Sequence, residues 1–150
     1  MAKYTDFDIP ITVAGLTFRN PFYVSSGPTT MTIEQLERID QCGWGGASLK
    51  LTIDPEPYIN RRPRYGYYPE KNFISFTAET RLVLYELLKL IEQGRKRAKN
   101  LILFSNITYS GDKGIEGWVN VAKKCEEAGV HINELNMCCP NMSFNVDLTG

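Results

Sequence analysis

The sequence lacks an excess of charge of either sign. Its 150 residues include 17 Lys+Arg and 17 Asp+Glu, so the formal net charge is zero. Proteins that bind nucleic acid or an anionic membrane surface through their charge carry a basic excess. An arginine- and tyrosine-rich stretch at 58–71 is similar to a single-strand stacking surface, but no second basic stripe accompanies it. We therefore expect neither a nucleic-acid nor a membrane partner.

Long hydrophobic runs are also missing. No apolar run reaches the ~18 residues that a membrane span needs. The N-terminal residues Met1 to Asp8 contain no hydrophobic signal core, which predicts a cytoplasmic protein. The hydrophobic fraction of 43% and the charged fraction of 23% are typical of globular domains and exclude a disordered chain.

Metal ligands are scarce. The four cysteines form no Cys-x-x-Cys motif, and His131 is the only histidine. Adjacent residues such as Cys138 and Cys139 cannot easily direct both sulfurs to one cluster, so we expect neither a zinc nor an iron–sulfur site. Cys42 and Cys125 lie in helical patterns and are predicted to be reduced thiols.

Strand and helix patterns alternate along the chain. Residues 9–18 alternate around Ala14-Gly15, which predicts a β-hairpin. A capping box at Thr32 and Gln35 starts a helix, and apolar spacings of three and four predict two more, from about 77 to 97 and around Trp118 up to Gly129. Buried strands are predicted at 22–26, 46–50, 101–105 and 132–136, and a long loop at about 51–72.

Two architectures fit this alternation: an open doubly wound sheet, or half of an eight-stranded barrel. Polar residues follow each strand, at Ser25 to Gly27, Lys50, Ser105-Asn106 and Asn136 to Asn141. A barrel gathers all strand ends at one mouth, whereas an open sheet uses mainly its switch point. The sequence also stops soon after the fourth strand, with no closing helix. We therefore predict an α/β fold that is the first half of a (β/α)8 TIM barrel, with four parallel strands and an N-terminal β-hairpin.

Two residues at strand ends could carry chemistry. Lys50 is either a lysine that reaches solvent or a cation that holds an electron-rich cofactor. Cys139 is either a packed thiol or a general acid or nucleophile. The pattern alone leaves both pairs of interpretations open.

Several motifs together resemble one family. They are Gly15-Leu-Thr-Phe-Arg-Asn-Pro-Phe22, Ser25-Ser-Gly-Pro-Thr-Thr30, Gly43-Trp-Gly-Gly46, Lys50, Pro63-Arg64 and Glu134-Leu-Asn-Met-Cys-Cys-Pro-Asn141. In this order they resemble the flavin mononucleotide (FMN) barrels of the dihydroorotate/dihydropyrimidine dehydrogenase group, and the Gly-Trp-Gly-Gly motif is closer to the dihydropyrimidine dehydrogenase branch. The resemblance implies that residues 1–150 are the N-terminal half of an FMN-binding dihydroorotate dehydrogenase-like TIM barrel.

The resemblance also implies residue roles. Cys139 would be the catalytic acid/base, although strict strand alternation from Asn136 would select Cys138. The implied flavin contacts are Ser25, Ser26, Gly27, Lys50, Leu51 and Asn136. The implied substrate contacts are Lys50, Ser75, Asn136, Cys138 and Asn141. Two of them depart from the family, since Cys138 stands where a serine is usual and Ser75 or Ala78 where an asparagine is usual.

The function implied by the resemblance is an FMN-dependent oxidoreductase that acts on a CH–CH bond of a pyrimidine-like or related cyclic amide. The family's second lysine and its flavin-phosphate loops belong to later strands, outside these 150 residues. Electrons would come through a separate electron-transfer chain or a missing module, and the half barrel could form a homo-oligomer through its open edge. The alternative is a non-catalytic remnant or association module that binds no flavin.

Overall fold

The computed structural model describes residues 9–55, 64–77 and 81–137. Within these ranges the strands are β1 (Ile11–Val13), β2 (Leu16–Phe18), β3 (Tyr23–Val24), β4 (Gly46–Ser48), β5 (Thr52–Asp54), β6 (Arg64–Tyr68), β7 (Phe73–Thr77), β8 (Ile102–Tyr109) and β9 (Ile132–Leu135). The helices are α1 (Ile33–Gln41), α2 (Leu84–Arg97) and α3 (Gly114–Glu127), and Pro69–Lys71 form a 3-10 turn. None of these helices is long and apolar enough to cross a membrane.

The chain begins with the predicted hairpin. Strands β1 and β2 pair antiparallel, with Val13 opposite Leu16. The two turn residues both have positive φ, 50° at Ala14 and 79° at Gly15. Such a turn matches the right-handed twist of the two strands that it joins. The prediction of an N-terminal β-hairpin is confirmed.

The main sheet is parallel throughout its described part. Strand β3 pairs with β4, β4 with the first residues of β8, and β9 with the middle of β8. Strand β5 pairs with the last residues of β8, on the side that β4 occupies and opposite β9. The lateral order is therefore β3, then β4 with β5, then β8, then β9. This order confirms the predicted parallel strands and is that of the first half of a (β/α)8 barrel.

All three helices cover one face of this sheet. The predicted capping box starts α1, since Thr32 Oγ1 accepts from Gln35 N at 3.4 Å and Gln35 Oε1 accepts from Thr32 N at 3.1 Å. Helix and strand side chains meet in one buried cluster, which includes Leu36, Leu87, Ile91, Val121, Ala47, Leu49, Leu103 and Ile107. Burial of these apolar side chains is the main stabilising contribution to the fold. The other face of the sheet is left for the candidate site.

The prediction of a loop at 51–72 is wrong. Strand β5 lies inside it, as does β6, which pairs antiparallel with β7 from Arg64 opposite Thr77 to Tyr68 opposite Phe73. Both strands of this hairpin are rich in aromatic residues, which favour the pleated surface of a strand. The proline, arginine and tyrosine content suggested irregular structure. The strands were not apparent from this segment because their pairing partners lie further along the chain.

The predicted start of the second helix at about Thr77 is also wrong. Thr77 ends β7, and Leu82 then pairs with the chain beside β5, since its N–H donates to Leu51 O at 3.1 Å. Helix α2 begins only at Leu84, where Glu86 Oε2 accepts from Val83 N at 3.1 Å. The apolar spacing that predicted this helix therefore extends upstream of Leu84, into residues that pair with strands.

The third predicted strand is longer than expected. Strand β8 continues to Tyr109, so Ser105 and Asn106 lie in its middle and not at its end. The strand extends because β5 pairs with Ile107 to Tyr109 on one side, while β9 reaches Ile107 on the other. Polar side chains in a strand do not end it when both backbone edges are paired.

His131 connects the start of β9 to β8. Its Nδ1 accepts from Leu103 N at 2.9 Å, and the Arg95 guanidinium lies against its Nε2. Burial lowers the pKa of His131, and the positive charge of Arg95 lowers it further. Between the lowered pKa of the folded chain and the ordinary value of 6.5, the unfolded chain binds more proton here than the folded chain does. We expect the free energy of unfolding to fall as the pH drops from 7.5 to 5.5, measured by urea denaturation.

A variant without a titrating side chain isolates this contribution. His131→Asn keeps an acceptor for Leu103 N and does not titrate, so we expect a smaller loss of stability between pH 7.5 and 5.5. An unchanged pH dependence in His131→Asn would contradict the assignment to this histidine.

Candidate functional site

The uncovered face of the sheet, called here the inner face, changes character along β8. Leu103, Ser105 and Ile107 point to the helices, so Phe104, Asn106 and Thr108 lie on the inner face by strand alternation. At the amino end, the Phe104 ring packs on those of Phe18 at 6.0 Å and Tyr23 at 5.3 Å between centroids. Aromatic rings from β2, β3 and β8 therefore close this end, and the carboxyl end is polar.

A chain of hydrogen bonds crosses the polar part of the inner face. Ser48 Oγ donates to Glu134 Oε2 at 2.5 Å, and Asn106 Nδ2 donates to Glu134 Oε1 at 2.7 Å. Asn136 Nδ2 in turn donates to Asn106 Oδ1 at 3.1 Å. Ser48 and Glu134 belong to strands with β8 between them, whose backbones in a flat sheet lie about 9–10 Å apart. Their direct contact shows that the inner face is concave.

Lys50 follows β4 at a bulge. Three residues, Leu49 to Leu51, separate Ser48 from Thr52, whereas two residues separate their partners Phe104 and Ile107 on β8. The extra residue turns the Lys50 N–H away from β8, and it donates to Thr30 O at 3.1 Å. Bulges redirect side chains and are frequent beside active sites. The half-buried Lys50 is thus placed at the carboxyl end of the strand, as predicted from the sequence.

The segment after β3 is joined to Lys50 through Thr30. Gly27 N donates to Thr30 Oγ1 at 3.2 Å, and Thr30 N donates to Gly27 O at 3.2 Å. Thr30 is fully buried, and its carbonyl holds the Lys50 N–H. A Cβ added to Gly27 would meet no atom closer than 3.8 Å, so the chain is open on that side. The structure therefore links Gly27 to Lys50 through Thr30.

The remaining predicted cofactor residues lie at the same end of the strands. Ser25 is exposed and Ser26 half-buried, directly after β3, while Leu51 is buried beside Leu82. Asn136 follows β9, and its N–H donates to Ile107 O at 2.9 Å.

The side chains of four predicted site residues lie outside the described part of the chain. Ser75 lies in β7 opposite Gly66, and its side chain is outside the described part of the chain. Cys138, Cys139 and Asn141 lie outside the described residues altogether. Their roles stay predictions.

Ser105 does not belong to the site, in contrast to its predicted place at a strand end. It points to the helices, and its Oγ donates to Asn133 Oδ1 at 2.7 Å. Burial raises the pKa of the neighbouring Cys125 thiol to about 11, and the hydrogen bond to Ser105 only partly opposes this rise. Cys125 therefore stays a protonated packed thiol, whereas Cys42 is exposed at the end of α1.

Sequence reasoning assigned no role to Ser48, Thr30, Asn106 or Glu134. A period of two would have found part of the set, because Glu134 and Asn136 share one face of β9 and Asn106 and Thr108 share one face of β8. Pattern does not show that these faces meet, since that depends on the pairing of Asn106 with Glu134.

Known proteins with similar sequences point to one family. The chain is 27% identical over 153 residues to the chloroplastic dihydropyrimidine dehydrogenase (NADP(+)) of Arabidopsis thaliana, across 93% of this chain and 35% of that protein. It is 28% identical over 141 residues to the NAD-dependent dihydropyrimidine dehydrogenase subunit PreA of Escherichia coli K12, across 91% of this chain and 33% of that protein. The chain thus spans about a third of the length of these relatives. The sequence profile of the dihydroorotate dehydrogenase family matches residues 9–149, and the chain belongs to this family.

Proposed function

We propose that this chain forms the first flavin- and substrate-contacting part of an FMN-dependent oxidoreductase that acts on a CH–CH bond of a pyrimidine-like or related cyclic amide. The observation that carries the proposal is that Gly27, Lys50 and Asn136 follow the carboxyl ends of β3, β4 and β9, which are strands of one parallel sheet. In barrels, this end of the strands holds the active site. Family membership supports the flavin and the pyrimidine-related substrate class.

The residues at this end fit a flavin ring. Lys50 offers a cation for an electron-rich ring edge, and Asn136 offers an amide that can both donate and accept hydrogen bonds. Gly27 has no side chain and its open side has space for at least a Cβ, which is compatible with close approach of a flat ring to the backbone. Bound FMN would supply hydride transfer to or from a substrate carbon. The proposed flavin contacts are Ser25, Ser26, Gly27, Lys50, Leu51 and Asn136.

The chain itself would supply position and a proton. Cys139, which follows β9 closely in sequence, is proposed to hold the proton that one substrate carbon gains or loses, on its Sγ. Ser75, Cys138 and Asn141 are proposed to contact the substrate ring. Lys50 and Asn136 would orient that ring toward Cys139.

A second structural unit is proposed to complete the barrel. Between α3 and β9 lies an apolar groove of about 570 Å³, lined mainly by Ile115, Trp118, Val119, Leu135 and Met137. In a (β/α)8 barrel, the next strand–helix unit packs at this position. We propose that residues 1–150 are the N-terminal half of the barrel, and that the remaining units supply the contacts to the flavin phosphate.

A separate electron-transfer partner is part of the proposal. The Escherichia coli relative is named as a subunit of a dehydrogenase that depends on NAD. By analogy, a second chain or module would carry electrons between the flavin and their donor or acceptor. The alternative function is a non-catalytic remnant or association module that binds no flavin.

Titration with FMN tests the proposal against this alternative. We expect quenching of flavin fluorescence on binding, and a Kd about ten- to a hundredfold higher for Lys50→Met, because a hydrogen bond to a charged group is lost. Lys89→Met changes an exposed lysine on α2 and should leave the Kd unchanged. Absence of flavin uptake by the unmodified chain at high FMN concentration would favour the remnant.

A further inference from the structure

The inner face contains a directional relay of hydrogen bonds from Glu134 to Asn136. Asn106 stands between them, with its Nδ2 2.7 Å from Glu134 Oε1 and its Oδ1 3.1 Å from Asn136 Nδ2. Asn106 is only 2% exposed, so water does not readily replace either partner. The relay therefore holds the Asn106 amide in the low-dielectric interior, where a mismatched partner is costly.

The carboxylate determines the direction of the relay. An ionised carboxylate only accepts hydrogen bonds, so Asn106 turns its Nδ2 to Glu134. The Oδ1 of Asn106 then faces Asn136, and this oxygen requires a donor. Asn136 can supply one only with its Nδ2. The opposite orientation of Asn136 would set two oxygens against each other.

The backbone of Asn136 is held independently of the relay. Its N–H donates to Ile107 O at 2.9 Å, and its carbonyl accepts from Thr108 Oγ1 at 2.8 Å. The peptide position is thus set by β8, whereas the side-chain Nδ2 of Asn136 donates to Asn106 Oδ1. Glu134 and Asn136 are consequently linked through a side chain of the neighbouring strand.

We propose that Glu134 is a positioning residue that acts through Asn106 to orient the amide of Asn136. With Nδ2 toward Asn106, the Oδ1 of Asn136 lies on the opposite side of the amide, as an acceptor for an N–H group of the ligand. The ring N–H of a cyclic amide is such a donor. The ligand contact rests on the proposed function, while the orientation itself does not.

The substitution Glu134→Gln tests the orientation without flavin. A glutamine can donate to Asn106 Oδ1, which allows both asparagine amides to reverse. We expect the side-chain amide resonances of Asn136 in ¹⁵N–¹H spectra of the 150-residue chain to shift in this variant. The matched control is Ser105→Ala, which removes a buried hydrogen bond between the same two strands on the opposite face. It should leave these resonances in place.

The same two variants test the consequence for the ligand. We expect Glu134→Gln to raise the Kd for FMN about tenfold and Ser105→Ala to change it less than twofold, although both lower the melting temperature. Unmoved Asn136 resonances in Glu134→Gln, or equal shifts in Ser105→Ala, would overturn the relay. If the protein with the complete barrel binds no FMN, the proposed function fails, and the resonances alone decide the relay.

Discussion

Replacement of Cys139 by alanine should lower turnover by about 10²- to 10⁴-fold, the usual contribution of a positioned general acid. Alanine cannot hold the proton that the substrate carbon exchanges, so the chemical step loses its acid/base. FMN binding should survive, because the thiol contributes little to the contacts that Lys50 and Asn136 are proposed to make. The rate of flavin reduction by substrate in the complete enzyme measures the first effect, and flavin fluorescence measures the second.

Cys138 provides the matched control. Cys138→Ser restores the residue that is usual in the family and should change turnover only slightly. In the described part of this segment, Leu135 and Met137 line the groove beside α3, while Glu134 and Asn136 are joined to Asn106 on the inner face. Continued alternation would place Cys138 inward, whereas the family motif selects Cys139. That choice requires the chain to leave the strand geometry next to Pro140, which cannot donate to a strand ladder.

One outcome would reverse this assignment. Cys138→Ala could abolish the reaction of substrate with the flavin while Cys139→Ala leaves it intact. In that case the strand alternation from Asn136 determines which cysteine faces the site. The acid/base would then be Cys138, and the strand would continue past Met137 without a bend.

Elements whose signals lie within a few neighbouring residues were predictable from the sequence. The capping box of Thr32 and Gln35 is contained in four residues, and the structure has both of its hydrogen bonds. Strand β4 and strand β9 are short runs bounded by turn residues, and both lie inside their predicted ranges. Local hydrogen bonds and local periodicity carry this information, so no knowledge of the tertiary structure was needed.

Elements that depend on a distant partner were not predictable. Strand β5 pairs with β8, about fifty residues further along the chain, and Leu82 leaves the helical pattern because its backbone bonds to Leu51. Three-residue strands have little periodicity of their own. Tertiary pairing therefore overrode the local preference in these segments.

The same distinction between local and tertiary information holds for the residues of the candidate site. Lys50 and Asn136 could be placed at strand ends from the sequence, and the structure places both there. The contact between Ser48 and Glu134 could not be predicted, because it requires the sheet to curve until two non-adjacent strands approach. The family motif contains Glu134, but only the pairing of β8 with β9 gives this residue its partners.

A methyl group at Gly45 should destabilise the fold by about 3 kcal/mol. A Cβ at this position would lie 2.2 Å from Asn20 O and 3.1 Å from Phe22 O, both backbone atoms that cannot rotate away. The backbone of Gly45 also joins two segments, since its N–H donates to Phe22 O at 2.8 Å and its carbonyl accepts from Ile102 N at 3.1 Å. Thermal denaturation should show a melting temperature for Gly45→Ala that is lower by about 6–12 °C.

Gly27→Ala is the control for this effect, because its added Cβ would meet no atom closer than 3.8 Å. Its stability should stay within about 0.5 kcal/mol of the unmodified chain. The contrast separates close backbone approach from the general entropic effect of replacing glycine. Equal melting temperatures for both variants would mean that the segment from Asn20 to Phe22 moves aside easily. In that case packing against this segment would not explain why residue 45 is a glycine.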